Sequence, residues 1–257
     1  MIEKILSTND YSKITKYLED NSNLPGRAAN LSLAYKVADY YLDNEYNLTY
    51  LSSIEIGNQN ENTPQEFVLM CKIISLGSVY ERLKKHEQEK VLHVLWLCAD
   101  GTWRMKEAVA MSFQRIGYKD EEILINSFNE YLVKGSFSQK RAIVAALADY
   151  KLLENNKLVN YSILVSGSLL NEIMELDSSI YKSKEFKVLE KGLSYAISVF
   201  VSVNPKQGFE LLFNYSDVNN KVIKRIINTN LSKKRLSSKH PIETEKLWLM
   251  LNHNESI

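Results

Sequence analysis

Apolar residues recur at intervals of three and four along nearly the whole chain. That is the period of an amphipathic helix, not the alternation of a half-buried strand. The pattern predicts helices over 2–8, 10–20, 26–42, 47–56, 65–83, 87–99, 103–117, 120–133, 137–149, 152–159, 161–175, 184–203, 205–213, 218–230 and 241–252. One stretch, 197–203, has the composition of a strand in Val199, Phe200 and Val201. It continues a helical pattern without a partner strand, so it reads as a buried helix. Nine glycines and four prolines supply too little punctuation for a turn-rich β protein. The clearest polar break is GNQNENTP at 57–64. It makes residues 58–64 a joint behind an N-terminal subdomain at 1–57. Further connections are expected at 151–161 and 177–184.

The helical pattern repeats. Residues 101–109 read GTWRMKEAV and residues 135–143 read GSFSQKRAI, an offset of 34. Gly101 matches Gly135, Thr102 matches Ser136, and Trp103 matches Phe137. Lys106, Ala108 and Val109 match Lys140, Ala142 and Ile143. In each copy Gly ends one helix, Thr or Ser caps the next, and an aromatic opens its first turn. Weaker copies follow at 186–203 and 217–231. Helix pairs that bury their faces on neighbouring pairs make an α-solenoid. The expected fold is therefore all-α, one α-solenoid domain of HEAT-like helix pairs over 1–257. The tetratricopeptide repeat has the same length but needs small and aromatic residues at set places and a closing proline, which this chain lacks.

A projection at 100° per residue puts Met105, Ala108, Val109, Ser112, Phe113 and Ile116 on the buried side of the 103–117 helix. Trp103, Glu107, Ala110 and Gln114 lie opposite. In the next copy Ile143, Ala146, Leu147 and Tyr150 face inward, and Phe137, Arg141, Val144 and Ala148 outward. Stacked copies would set Trp103 beside Phe137 and Glu107 near Arg141. Such a groove offers aromatic faces to a base, a guanidinium to a phosphate and a carboxylate to a cation or a water. The alternative is structural. An aromatic in the first turn can staple the preceding helix, and an exposed Glu–Arg pair contributes only about 0–1 kcal/mol.

Charge changes the picture at one place. The chain has 257 residues, with 32 basic and 31 acidic, and a net charge of +1. That excludes attachment to nucleic acid or membrane by bulk charge alone. Yet the segment 221–240, KVIKRIINTNLSKKRLSSKH, holds seven basic residues and no acidic one. Lys221, Lys224 and Arg225 share about one helical turn, and Lys233, Lys234 and Arg235 follow in an expected turn. This is the footprint of phosphate contacts, or else the polar outer face of a closing repeat.

Two cysteines, Cys71 and Cys98, cannot form a disulfide framework or a four-cysteine metal site. Reduced thiols and a cytoplasmic location are expected. The start of the chain has scattered charges and no apolar core, unlike a signal peptide. The longest weakly polar run is too short to span a bilayer. Signatures of zinc hydrolases, P-loop enzymes, dinucleotide-binding folds and elbow-type serine hydrolases are missing. No metal or cofactor is expected, and a monomer is. His93 reads as a core histidine beside Trp96 and Cys98. Pro25 reads as the opening of the 26–42 helix, with Arg27 and Asn30 near its cap.

The segments WRMKEAVA (103–110) and FSQKRAIVAAL (137–147) resemble HEAT-like repeats, and among small chains those of the DNA alkylation repair superfamily. The resemblance covers about residues 65–235 and is most specific in the two central copies. It implies a DNA-cradling solenoid, and for some members a glycosylase that removes alkylated purines. It further implies Trp103 as the aromatic, Glu107 as the catalytic acid and Arg141 as the phosphate-facing arginine. The chain departs from that family in having Glu107 where active members often carry Asp. It also lacks a second Trp in a later repeat, since Trp248 lies further along. The alternative is a non-catalytic scaffold, in which the same aromatic and arginine residues bind a protein.

Overall fold

The computed structural model describes residues 2–55, 57 and 60–253. Every regular element among them is helical, and none is a strand. The chain divides into two compact units, Met1–Ser127 and Phe128–Ile257.

The first unit holds α1 (Ile2–Leu6), α2 (Tyr11–Asp20), α3 (Leu31–Asp43), α4 (Leu48–Ser52), α5 (Pro64–Val79), α6 (Lys85–Cys98) and α7 (Trp103–Gly117). The point of division falls within α8 (Glu121–Lys134). At its centre is α5, which starts on the Thr63 hydroxyl accepting from the Glu66 N–H at 3.2 Å. Pro64 occupies its first turn, where a missing N–H costs nothing. From Phe67 to Val79 only Leu69 and Lys72 escape full burial. An apolar surface on all sides needs neighbours on all sides, and α2, α3, α4 and α7 supply them. The crossing with α7 is close. A Cβ on Gly77 would lie 2.4 Å from the Ser112 carbonyl oxygen, so only glycine fits. At the far end Arg82 donates from Nη1 to the carbonyls of Tyr41, Leu42 and Asn44 at 2.9–3.0 Å. One cation thereby satisfies the orphan carbonyls at the end of α3.

The second unit contains α9 (Phe137–Leu147), α10 (Asn156–Glu175), α11 (Lys184–Val203), α12 (Pro205–Asn214), α13 (Lys221–Leu231), α14 (Lys234–Ser237) and α15 (Pro241–His253). Here α11 is the central helix, touched by α9, α10, α12, α13 and α14. Its link to α13 includes a buried Asn230. That amide donates to the carbonyls of Leu193 at 3.0 Å and Ile226 at 2.8 Å, and accepts from the Ser198 N–H at 2.8 Å. Hydrogen bonds made inside the protein offset the cost of taking this amide out of water. In both units every second helix packs side by side, α3 on α5 on α7 and α9 on α11 on α13.

Several local expectations are corrected. The loop at 57–64, of which residues 58 and 59 lie outside the described residues, is interior to the first unit, since α3 and α4 both pack on α5. Pro25 lies in a turn and not at a helix start. The helix begins at Leu31, with Asn30 as its cap accepting from the Leu33 N–H at 3.1 Å. The expected break at 151–161 is only a short 3-10 turn, Leu152–Glu154, before one continuous α10. The pattern predicts a turn at Lys233 to Arg235, whereas Lys234 and Arg235 begin the short α14. The shared capping logic holds in one copy. Ser136 forms a full capping box with Gln139, whereas the Thr102 hydroxyl is buried without a partner.

Among the described residues no helix is long and apolar enough to cross a membrane. The tight α5–α7 crossing predicts that Gly77→Val destabilises the first unit by about 3 kcal/mol, the upper end of overpacking costs. Urea unfolding followed by circular dichroism checks it, and an unchanged midpoint would contradict the close approach.

Candidate nucleic-acid interface

Trp103 opens α7 and is 43% exposed, with Glu107 half-buried one turn later. Both belong to the first unit, while Phe137 and Arg141 belong to the second. The inward stripe of α7 is buried as projected, but Ala110 and Val144, projected outward, are buried as well. Each helix is covered on more than one side, so only a narrow strip of it stays open. Tyr150, projected inward, is 57% exposed. It lies beyond the end of α9 at Leu147, where the helical projection no longer applies.

Next to Trp103, Arg104 turns inward. It donates to the Gly26 carbonyl and to Asn62 Oδ1, each at 3.2 Å, with its Nε 3.9 Å from the Glu66 carboxylate. Glu66 is buried and accepts from the Asn62 N–H at 2.7 Å. This network ties the turn before α3 to the loop before α5. Helical periodicity gives no sign of it, because its members lie on three separate segments.

In the second unit the Phe137 ring meets Phe186 edge-on at 5.5 Å, and Phe186 meets Tyr181 at 5.1 Å. Phe137 is thus half-buried in an aromatic cluster and is not an open shelf. Arg141 is 7% exposed. Its stem runs across α11 at Gly192, where a Cβ would come within 3.0 Å of Arg141 Cγ. Glycine at that position makes the room the arginine uses.

On α13 the residues Val222, Ile223, Ile226, Ile227 and Leu231 are buried. The opposite face, Lys221, Lys224, Arg225, Asn228, Thr229 and Ser232, lines an open depression of about 490 Å³. Asn220 caps this helix, accepting from the N–H groups of Val222 at 2.9 Å and Ile223 at 3.2 Å. Arg225 is held by the buried carboxylate of Glu190, which also takes Lys187 at 2.6 Å. Lys221 and Lys224 form no ion pair among the described residues.

These groups border one strip of surface. Along α11, Lys184, Lys187, Lys191 and Tyr195 are exposed at every third or fourth position. Glu190 and Gly192 sit about 100° to either side of Lys191 on the helix. Arg225 therefore docks at one edge of the strip and Arg141 at the other. At the end of the strip the Arg235 guanidinium lies over the Tyr195 ring, 4.7 Å from its centroid. The sequence reading singles out Lys221, Lys224, Arg225 and Arg141 but passes over Lys187, Glu190, Lys191, Gly192 and Tyr195. The signal was available in the helical spacing of 184, 187, 191 and 195. That spacing marks an exposed side of the helix but does not say which neighbours border it.

His93 is exposed and not in the core, since the buried stripe of α6 runs through Val91, Leu95, Trp96 and Cys98. No group of three or more His, Cys, Asp or Glu among the described residues has the arrangement to hold a metal ion. Cys71 and Cys98 are both free and buried. Burial pushes the Cys98 thiol up to about 12 and the Cys71 thiol up as well. The thiolate is the nucleophile, so neither cysteine should react with a disulfide reagent at about pH 8 while the protein is folded. Both should react once it is unfolded in guanidinium. Rapid labelling of the native protein would contradict their burial.

No family model, no curated protein and no solved structure matches the chain.

Proposed function

We propose that this chain is a HEAT-like solenoid of helix pairs that binds DNA through phosphate contacts on the α9–α11–α13 face of its second unit. The observation that carries this reading is the shared strip of surface. Lys187 and Lys191 run along it, Arg141 and Arg225 border it, and Lys221 and Lys224 extend it without acidic partners. Among the described residues of that unit Glu190 is the one buried carboxylate. Cations such as Lys221 and Lys224, which form no ion pair among the described residues, are what counterion release requires, and a basic DNA-binding face is what the resemblance to the DNA alkylation repair superfamily implies. The side-by-side packing of alternate helices supports the solenoid part. Two free buried thiols fit a reducing compartment such as the cytoplasm.

Fluorescence anisotropy of a labelled duplex across a salt series tests the reading. The wild-type protein should bind with a steep salt slope. Replacing both Lys221 and Lys224 with Ala should flatten the logarithmic slope by about two, close to one per phosphate contact. Glu190→Gln removes the buried carboxylate that pairs with Lys187 and Arg225 and should tighten binding several-fold at low salt. A flat salt dependence, or no binding at low salt, would remove the proposal.

Base excision is the finer part of the same reading. There Glu107, half-buried one turn after Trp103 on α7, would stabilise positive charge developing on the sugar. Glu107→Gln should abolish base release from alkylated DNA while leaving affinity unchanged, and equal release by the variant would take Glu107 out of the chemistry. A second reading, a protein-binding scaffold, is favoured by α15, where Ile242, Trp248 and Leu249 are 78%, 53% and 57% exposed. Large exposed apolar side chains on one helix are a usual mark of a protein interface.

A further inference from the structure

The phosphate-binding strip ends on an aromatic ring. Tyr195 is 52% exposed, although it sits on the most central helix of its unit. It follows Lys184, Lys187 and Lys191 at steps of three and four residues, so the four side chains form a row spaced about 4.5–6 Å apart along the helix axis. Arg235 covers the ring from α14 at 4.7 Å. Arg235 forms no ion pair among the described residues, and its Nη1 is buried without a hydrogen-bond acceptor. The contact with the ring, and not a salt bridge, is what positions this guanidinium.

Phosphate contacts alone do not require an aromatic group. Duplex DNA presents its phosphates outward and keeps its bases stacked inside, so a ring level with a row of lysines has nothing to stack on. A single strand is different. Its phosphates can follow the lysines while an unstacked base lies on the ring, an arrangement in which stacking contributes about 1–3 kcal/mol per base and tolerates any base. The adjacent guanidinium adds a cation–π contribution and a second planar surface. Phe137, the aromatic that the sequence points to, is not free for this purpose, since its ring packs on Phe186.

Resting on the phosphate-binding reading above, we propose that Tyr195, held by Arg235, is a base-stacking platform, and that this face takes single-stranded nucleic acid in preference to intact duplex. The row of lysines supplies affinity without sequence preference, and the Tyr195–Arg235 pair supplies the choice of strand state.

The test uses the full chain with labelled oligo(dT), oligo(U) and a duplex of matched length, measured by anisotropy in the same low-salt buffer. Wild-type protein should bind oligo(dT) or oligo(U) more tightly than duplex, and the better of the two assigns the sugar. Tyr195→Ala should weaken single-strand binding by about tenfold with the salt slope and duplex affinity unchanged, while Tyr195→Phe, which keeps the ring, should bind as wild type. Thermal unfolding of each variant shows that its fold is retained, as expected for a half-exposed side chain. Equal single-strand affinity of Tyr195→Ala and wild type, or tighter binding of duplex by wild type, overturns the platform while leaving phosphate binding intact. Absence of binding to all three probes overturns the phosphate-binding reading itself.

Discussion

Each unit depends on one helix that has to be buried on nearly every side. In the first unit this is α5, whose residues from Phe67 to Val79 leave almost no polar surface for water. In the second it is α11, with Phe186, Leu189, Leu193, Ile197, Val199, Phe200 and Val201 inside. Such a helix is stable only if neighbours cover it, because intrinsic helix propensity contributes far less than tertiary burial. The flanking helices are therefore arranged around it, and the close points of the structure follow. Gly77 lets α7 approach α5, and Gly192 lets the Arg141 stem cross α11.

Burial on all sides also controls the polar groups. Asn230 is fully buried but bonded to three backbone groups of α11 and α13. Glu190 is buried but flanked by Lys187 and Arg225. A buried carboxylate with its partner removed is costly, so Glu190 fixes Arg225 at the edge of α11. The same ion pairs that keep Glu190 satisfied thus set the basic residues of α13 beside the open strip of α11. Surface chemistry in this unit is a consequence of how its central helix is enclosed.

The two faces available in the second unit have different character. The α11 strip and α13 are cationic with one exposed tyrosine, which suits a polyanion with a flat group to stack. The exposed face of α15 carries Ile242, Trp248 and Leu249, which suits an apolar partner. Nothing in the physics makes these exclusive, since they lie on different helices. In the first unit the polar network of Arg104, Asn62 and Glu66 is a brace between loops, and it leaves Trp103 as the exposed residue of its turn.

Helical periodicity was legible along the whole chain, because a 3.6-residue stripe is written locally. The limits of α7 and α11, Trp103–Gly117 and Lys184–Val203, coincide with those read from the pattern. The basic segment 221–240 was also plain from charge order alone. What periodicity could not supply was which side of each helix a neighbour would cover. Ala110 and Val144 look outward on an isolated projection and are buried in the packed units. Phe137 looks like a shelf and is taken up by Phe186, and Tyr195 looks like one more interface tyrosine and is open. Pairings such as Arg141 over Gly192, or Arg225 on Glu190, join residues 51 and 35 positions apart. The sequence by itself determined that the chain is helical and where its charge is concentrated, since both are properties of neighbouring residues. Only the tertiary structure decided which charges share a face, because that depends on how helices distant in the chain enclose a common core.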